Sequence, residues 1–176
     1  LKYLLESGKI DFDIPHLHHV FENLINSNEF KMYQDRDLPN SKLSVTITSF
    51  SYKREIPIDL ADNGGGYVFD CRGLNNPGRL LDFKLLNGRN TEVINFLKLN
   101  SKVDDYMSHI YPLVDSTIET YLKRGFNNLM INFGCTGGQH RSVYCADEMF
   151  KYVKNKYDIN VFLSHIEQGI KEEVIR

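Results

Sequence analysis

No stretch of this 176-residue chain holds the roughly 18 consecutive apolar residues that a membrane-spanning helix needs. The chain also lacks a charged leader followed by an apolar run and a small-residue cleavage site. The expectation is therefore a cytoplasmic protein with no membrane partner. Cysteine is scarce: Cys71, Cys135 and Cys145 are odd in number and show no CxxC spacing. That argues against a zinc site or any other metal centre, and for a reducing compartment. An excess of one charge is missing too, since 21 Lys and Arg stand against 23 Asp and Glu, a net of −2. No global field recommends nucleic acid, although a local basic face is compatible with this balance. There is no internal repeat and no low-complexity tract. What is present is a hydrophobic fraction of 41%, enough for the core of one domain plus an appendage.

The strongest signal is Leu129-Met130-Ile131-Asn132-Phe133-Gly134-Cys135-Thr136-Gly137-Gly138-Gln139-His140-Arg141-Ser142. The apolar run 129–133 reads as a buried strand, 134–138 as a tight loop, and the pattern from Gln139, with Val143, Met149, Phe150 and Val153 on one side, as a helix. A loop of this kind can aim several backbone N–H groups at one point, with the positive end of the helix behind them, which makes an anion site. His140 and Arg141 add donors, and a guanidinium can hold two phosphate oxygens side by side. Thr136 and Ser142 offer hydroxyls. The plain alternative is a strand-to-helix turn that uses glycine for its geometry and binds nothing. The company of Thr, His, Arg and Ser favours an oxyanion site, with phosphate as the anion.

Taken in order, residues 1–30 show helical periodicity in two pieces, the second capped by Asp13 with Pro15 in its first turn. His16, His18 and His19 cluster there, but adjacent helical residues point different ways, so a solvated face is the better reading than a metal site. Residues 31–42 read as a linker. Alternation over 43–50 (Leu43, Val45, Ile47 against Ser44, Thr46, Thr48) predicts a strand, which runs into Ser51, Tyr52, Lys53 and Arg54. A glycine-rich turn follows at 62–66. Residues 67–69 form a short strand that leads to Asp70, Arg72 and Asn76, either ligand contacts at a strand end or a bracing ion pair. Residues 79–90 have mixed character and their inner part resists assignment. Helices are predicted over 91–99 and 101–123, the latter kinked or split at Pro112. Another strand is predicted over 158–163, and 164–167 reads as a turn or helix cap. Alternating strands and helices predict a three-layer α/β domain, with a mostly parallel sheet, helices on both faces and a short N-terminal helical appendage.

Three of these loops together resemble the C-terminal domain of the RNase adaptor protein RapZ. Residues 134–143 match that family's GCTGGxHRSV signature at every defined position, 49–57 are similar to its SFGFKxGxP stretch, and 70–77 to its DVRFLPNP stretch. The likeness spans roughly 43–165. It implies a regulatory module that binds a phosphorylated metabolite, glucosamine-6-phosphate, and RNA. It implies Thr136, Gly137, Gly138, His140, Arg141 and Ser142 as the phosphate loop, with Lys53, Asp70, Arg72 and Asn76 on the same pocket. No cofactor is implied for this part of the chain. The kinase half of RapZ, with its GxxxxGKS/T loop, is not in the 176 residues. Residues 1–30 instead resemble the last helices of an aminoglycoside- or choline-kinase-like phosphotransferase. The chain starts at Leu1 rather than Met, so the expectation is the tail of a longer protein, whose upstream phosphotransferase domain, in cis, would use ATP and Mg. A homo-oligomer is compatible with all of this.

A second reading is enzymatic. Cys135 to Ser142 also spells CxxGxxRS, the spacing of a protein-tyrosine-phosphatase loop. There Cys135 would be the nucleophile, Arg141 the phosphate holder, and Asp70 or Asp62 the general acid.

Overall fold

The structure, a computed structural model, describes residues 42–59 and 65–176. The expected helical appendage over 1–30 with its histidines, nearly all of the 31–42 linker, and Asp62 lie outside the described residues.

Five strands form one sheet in the order β2-β3-β1-β4-β5. They are β1 (Ser44–Ser51), β2 (Tyr67–Asp70), β3 (Asn128–Cys135), β4 (Asn160–His165) and β5 (Ile170–Val174). The first four are mutually parallel where they pair, and β5 runs antiparallel to β4. The α-helices are α1 (Thr91–Asn100), α2 (Val103–Arg124) and α3 (Arg141–Lys156). This is the α/β fold with a mostly parallel sheet that the alternation predicts.

The pleat sorts the strands into two faces. Val45 and Ile47 of β1, Leu129, Ile131 and Phe133 of β3, and Val161 and Leu163 of β4 point to one side, and all are buried in a single core cluster. Each such side chain contributes about 1.5–3 kcal/mol by leaving water. Val93 and Leu97 of α1, Val103, Met107, Ile110, Val114 and Ile118 of α2, and Met149 and Val153 of α3 belong to the same cluster. The connections β2→β3 and β3→β4 advance the same way along the sheet. Right-handed crossovers in one direction lay their helices on one face, and the three described α-helices pack there, against a single core cluster, rather than on both faces as the three-layer expectation had it. The opposite face mixes small polar side chains with Phe50, Met130 and Phe162. Thr48 donates to Asn132 Oδ1, and Asn132 donates in turn to the Tyr67 carbonyl oxygen at 3.1 Å.

Two local expectations need correction. Of the kink or split expected at Pro112, the split does not occur, since α2 is continuous from Val103 to Arg124. A proline inside a helix costs about 3 kcal/mol, and the buried stripe from Val103 to Ile118 on both sides of it offsets that cost. Gly125 then stops the helix in the left-handed conformation, φ 70°. The chain after β4 also does more than turn. Ile166–Gln168 is a 3-10 turn, Gly169 adopts φ 65°, and β5 pairs back onto β4. The charges of Lys171, Glu172 and Glu173 discourage further pairing at that edge.

Candidate functional site

The carboxyl ends of β1, β2, β3 and β4 share one end of the sheet, where parallel α/β folds place their ligands. The loop between β3 and α3 runs through it, and its carbonyl oxygens are held from outside. Tyr52 N–H donates to Cys135 O (3.0 Å), Ser51 Oγ to Thr136 O (2.8 Å), Gln168 Nε2 to Gly138 O (3.1 Å) and Gly88 N–H to Gln139 O (2.9 Å). The Gln139 and Ser142 N–H groups turn to the Cys135 sulfur. Among the described residues those of Thr136, Gly137 and Gly138 find no acceptor. Gly138 is required for the path: its φ is +61°, and a Cβ there would lie 2.9 Å from the backbone nitrogen of Ser51.

Arg141, the first residue of α3, is 5% exposed. Its Nη1 donates to the carbonyl oxygens of Arg72 (3.0 Å) and Leu74 (2.9 Å), so the guanidinium is anchored to the turn that follows β2. Its Nη2 stands 3.5 Å from Thr136 Oγ1, and its Nε is buried without a partner. A guanidinium offers five N–H donors in a rigid fork. Anchoring through Nη1 leaves the Nε–Nη2 edge, the edge that meets two oxygens of one anion, turned to the loop.

Cys135 ends β3 and is buried. Its Sγ lies 3.1 Å from the Ser142 Oγ. Burial alone would push this thiol up. The Ser142 hydroxyl and N–H, the Arg141 charge and the Gln139 N–H outweigh it and hold the thiol below its usual range. Cys145, one helical turn after Ser142, is fully buried, and desolvation with Cys71 beside it pushes its thiol well up.

A cleft of about 210 Å³ opens over the loop, lined by Lys53, Asn76, Gly78, Lys84, Cys135, Thr136, Gly137, Gln139, His140 and Arg141. Of the residues predicted for the site, Lys53, Asn76, Cys135, Thr136, Gly137, His140 and Arg141 are thus brought together. Ser142 and Gly138 sit behind the wall. His140 Nε2 is 2.8 Å from the Phe83 carbonyl oxygen, which can only accept, so Nε2 carries the hydrogen. Asp70 and Arg72 are not brought onto the cleft. They pair with each other, at 2.9 Å from Nε and 2.6 Å from Nη2. Hydrogen bonding from Arg72 holds the Asp70 carboxyl below its ordinary value. The Arg72 guanidinium also stacks 4.0 Å over the Tyr52 ring, and what Arg72 gives Arg141 is its carbonyl oxygen.

Three lining residues escaped sequence reading. Lys84 lies in a stretch without periodicity. Gln139 fills the undefined position of the signature, and its Nε2 donates to the carbonyls of Lys84 (2.8 Å) and Leu86 (2.6 Å), clamping that stretch to the loop. Gly78 follows Asn76, whose Oδ1 accepts its N–H at 3.2 Å. Also unforeseen is a buried relay beneath the site. Ser49 Oγ is 2.8 Å from His165 Nδ1, His165 Nε2 is 3.0 Å from Asp147, and Asp147 pairs with Arg89 at 3.1 Å. Among the described residues no group of three or more His, Cys, Asp or Glu side chains is placed to hold a metal ion. No described helix is long and apolar enough to cross a membrane.

Fold and site together define a parallel α/β domain with a cationic loop-and-helix cradle at its strand ends. Residues 43–169 match the RapZ C-terminal domain family, and the chain belongs to it. A nucleotide-binding protein of Dictyoglomus thermophilum is 31% identical over 173 residues, covering 92% of this chain and 57% of that protein. A nucleotide-binding protein of Clostridium acetobutylicum is 34% identical over 142 residues, 80% of this chain and 47% of its own length. One from Staphylococcus aureus strain JH9 is 34% identical over 146 residues, with 81% and 46% covered. The chain spans about half the length of the curated relatives it matches.

Proposed function

We propose that residues 43–176 are a regulatory binding module for a phosphomonoester, a phosphosugar of the glucosamine-6-phosphate kind, held by the loop 134–142. The observation that carries this reading is the Arg141 guanidinium: buried, anchored at Nη1, and left with an unpartnered Nε next to a loop whose 136–138 N–H groups find no acceptor among the described residues. An anionic oxygen supplies the acceptor that these donors lack. Lys53 and Lys84 at the rim favour a doubly charged ligand. RNA is the second ligand we propose, approaching over these cations. The overall charge of −2 gives it little help. In the whole protein we place an upstream phosphotransferase domain, using ATP and Mg, whose output this module governs. The resemblance of residues 1–30 and the nucleotide-binding names of the relatives support that placement.

The test is an NMR titration of the chain with glucosamine-6-phosphate, glucosamine and inorganic phosphate, following the 134–142 amides. Shifts with the phosphosugar that are absent with glucosamine, and lost in Arg141→Ala, are expected. Equal response to glucosamine would overturn the phosphate assignment. A steep loss of RNA affinity with salt would support the RNA arm, and its absence would remove that arm.

A further inference from the structure

We infer that Cys135 is a phosphoryl-accepting nucleophile within this cradle, open to activated phosphomonoesters such as acyl and aryl phosphates. Alkyl phosphates are bound there without turnover. The inference rests on the phosphate site proposed above.

Cys135 lines the cleft at the base of the loop, and its sulfur receives N–H groups from Gln139 and Ser142 and stands 3.1 Å from the Ser142 hydroxyl. These donors stabilise a thiolate, the reactive form of the group, and would stabilise it again as a leaving group. A phosphate held by the Arg141 Nε–Nη2 edge and the loop amides places phosphorus directly against that sulfur. The Cys145 and Cys71 thiols are buried in the core, off the cleft, so the site selects one cysteine of three.

The lining also decides which esters react. Among the described residues no carboxylic acid borders the cleft. Asp70 is engaged with Arg72, so among the described residues no carboxyl group there can hand a proton to a poor leaving group. An alkoxide leaving from a phosphosugar needs that proton. A carboxylate or a phenolate leaving from an activated ester does not. In the first step the thiolate attacks phosphorus, the S–P bond forms, the P–O bond to the acyl or aryl oxygen breaks, and the carboxylate or phenolate departs with the electron pair. In the second, water attacks phosphorus, the S–P bond breaks, the thiolate returns to the Ser142 and Gln139 donors, and the water proton passes to solvent with hydrogen phosphate. While the phosphocysteine persists, its own phosphoryl group fills the cradle, so the module is closed to its metabolite.

The 176-residue chain should be incubated with acetyl phosphate and with p-nitrophenyl phosphate, quenched rapidly, and read by intact mass with peptide mapping. The same preparation should be titrated with inorganic phosphate by NMR. A phosphoryl adduct on Cys135, absent from Cys135→Ser, with release of p-nitrophenolate, is the expected result. The wild-type mapping stands without the variant, should Cys135→Ser fail to fold. An adduct on another residue overturns the inference. So does absence of any adduct while inorganic phosphate still shifts the 134–142 amides, and in that case the binding reading survives. Absence of both adduct and amide shifts removes the binding reading along with it. Release of phosphate from glucosamine-6-phosphate would overturn the limit to activated esters.

Discussion

Cys135 and Ser142 are seven positions apart in the chain, yet the Cys135 Sγ and Ser142 Oγ lie 3.1 Å from each other. One residue ends a buried strand and the other lies in the first turn of a helix. The loop between them must therefore close on itself, which gathers its amides around one point. Replacing Ser142 by Ala removes a donor to the sulfur. The pH midpoint of iodoacetamide modification at Cys135, expected below the ordinary thiol value of 9.0, should move upward in Ser142→Ala. An unchanged midpoint would mean that the hydroxyl does not contact the thiolate in solution.

Arg141→Ala should abolish measurable binding of a phosphomonoester. Loss of a buried charged partner costs roughly 3–5 kcal/mol, a weakening of more than a hundredfold. Arg141→Lys should recover little of it, since an ammonium cannot reach the two carbonyls and present a fork at once. Calorimetric titration of the three proteins with glucosamine-6-phosphate decides this. Wild-type affinity in the Lys variant would show that charge alone suffices.

Gly138→Ala tests the loop path. Forcing an L-residue into the left-handed region costs about 1–2 kcal/mol, and the methyl would also press on the Ser51 backbone nitrogen. A lowered unfolding midpoint with loss of the phosphate-induced amide shifts is expected. Gly73→Ala is the control, because a Cβ there meets nothing within 4 Å. Its stability should stay within about 0.5 kcal/mol of wild type.

The relay under the site should carry stability of its own. Asp147→Ala leaves His165, at 0% exposure, without its carboxylate and takes from Arg89 one of its two, Glu172 remaining. A loss of about 3–5 kcal/mol is expected in urea denaturation, with an unchanged m-value. A loss under about 1 kcal/mol would show that the relay is dispensable.

Asp115 on α2 accepts from Tyr152 (2.6 Å), Tyr157 (2.7 Å) and Lys156 (2.6 Å), the first and last of these on α3 and Tyr157 at its C-cap. Burial pushes the carboxyl up, but these hydrogen bonds outweigh it and hold the group below its ordinary 3.8. A depressed value means that the folded state favours the carboxylate. The contribution is complete above the unfolded value and is lost as pH falls through the folded one. Asp115→Asn should therefore be less stable than wild type at neutral pH, and the gap should shrink below about pH 3.8. A gap independent of pH would contradict the assignment.

Much of this domain was legible because its signals are local. Alternation marks β1, an apolar run marks β3, and helical spacing marks α1 to α3, since each pattern repeats within a few residues of itself. The loop announced itself because glycine, threonine, histidine, arginine and serine fall together in one short stretch. β5 did not, because its half-exposed residues Ile170 to Val174 gain their strand character only by pairing with β4. Asp70 and Arg72 show the converse. Their place at a strand end allowed either ligand contacts or a bracing ion pair, and the fold pairs them at 2.6 Å, off the lining of the cleft.

By itself the sequence determined the α/β class, the family signature over 134–143 and the cysteine-to-serine spacing of the loop, all properties of contiguous residues. Tertiary structure alone decided which residues face the cleft and which hold those that do. Lys84 arrives there because Gln139 holds the Lys84 and Leu86 carbonyls. Arg141 is aimed by carbonyls 69 and 67 positions away. Ser49, Asp147 and His165 meet only once β1, β4 and α3 have packed. Hydrogen bonds between groups so far apart in sequence leave no local pattern to read, and only the folded chain brings their partners within reach.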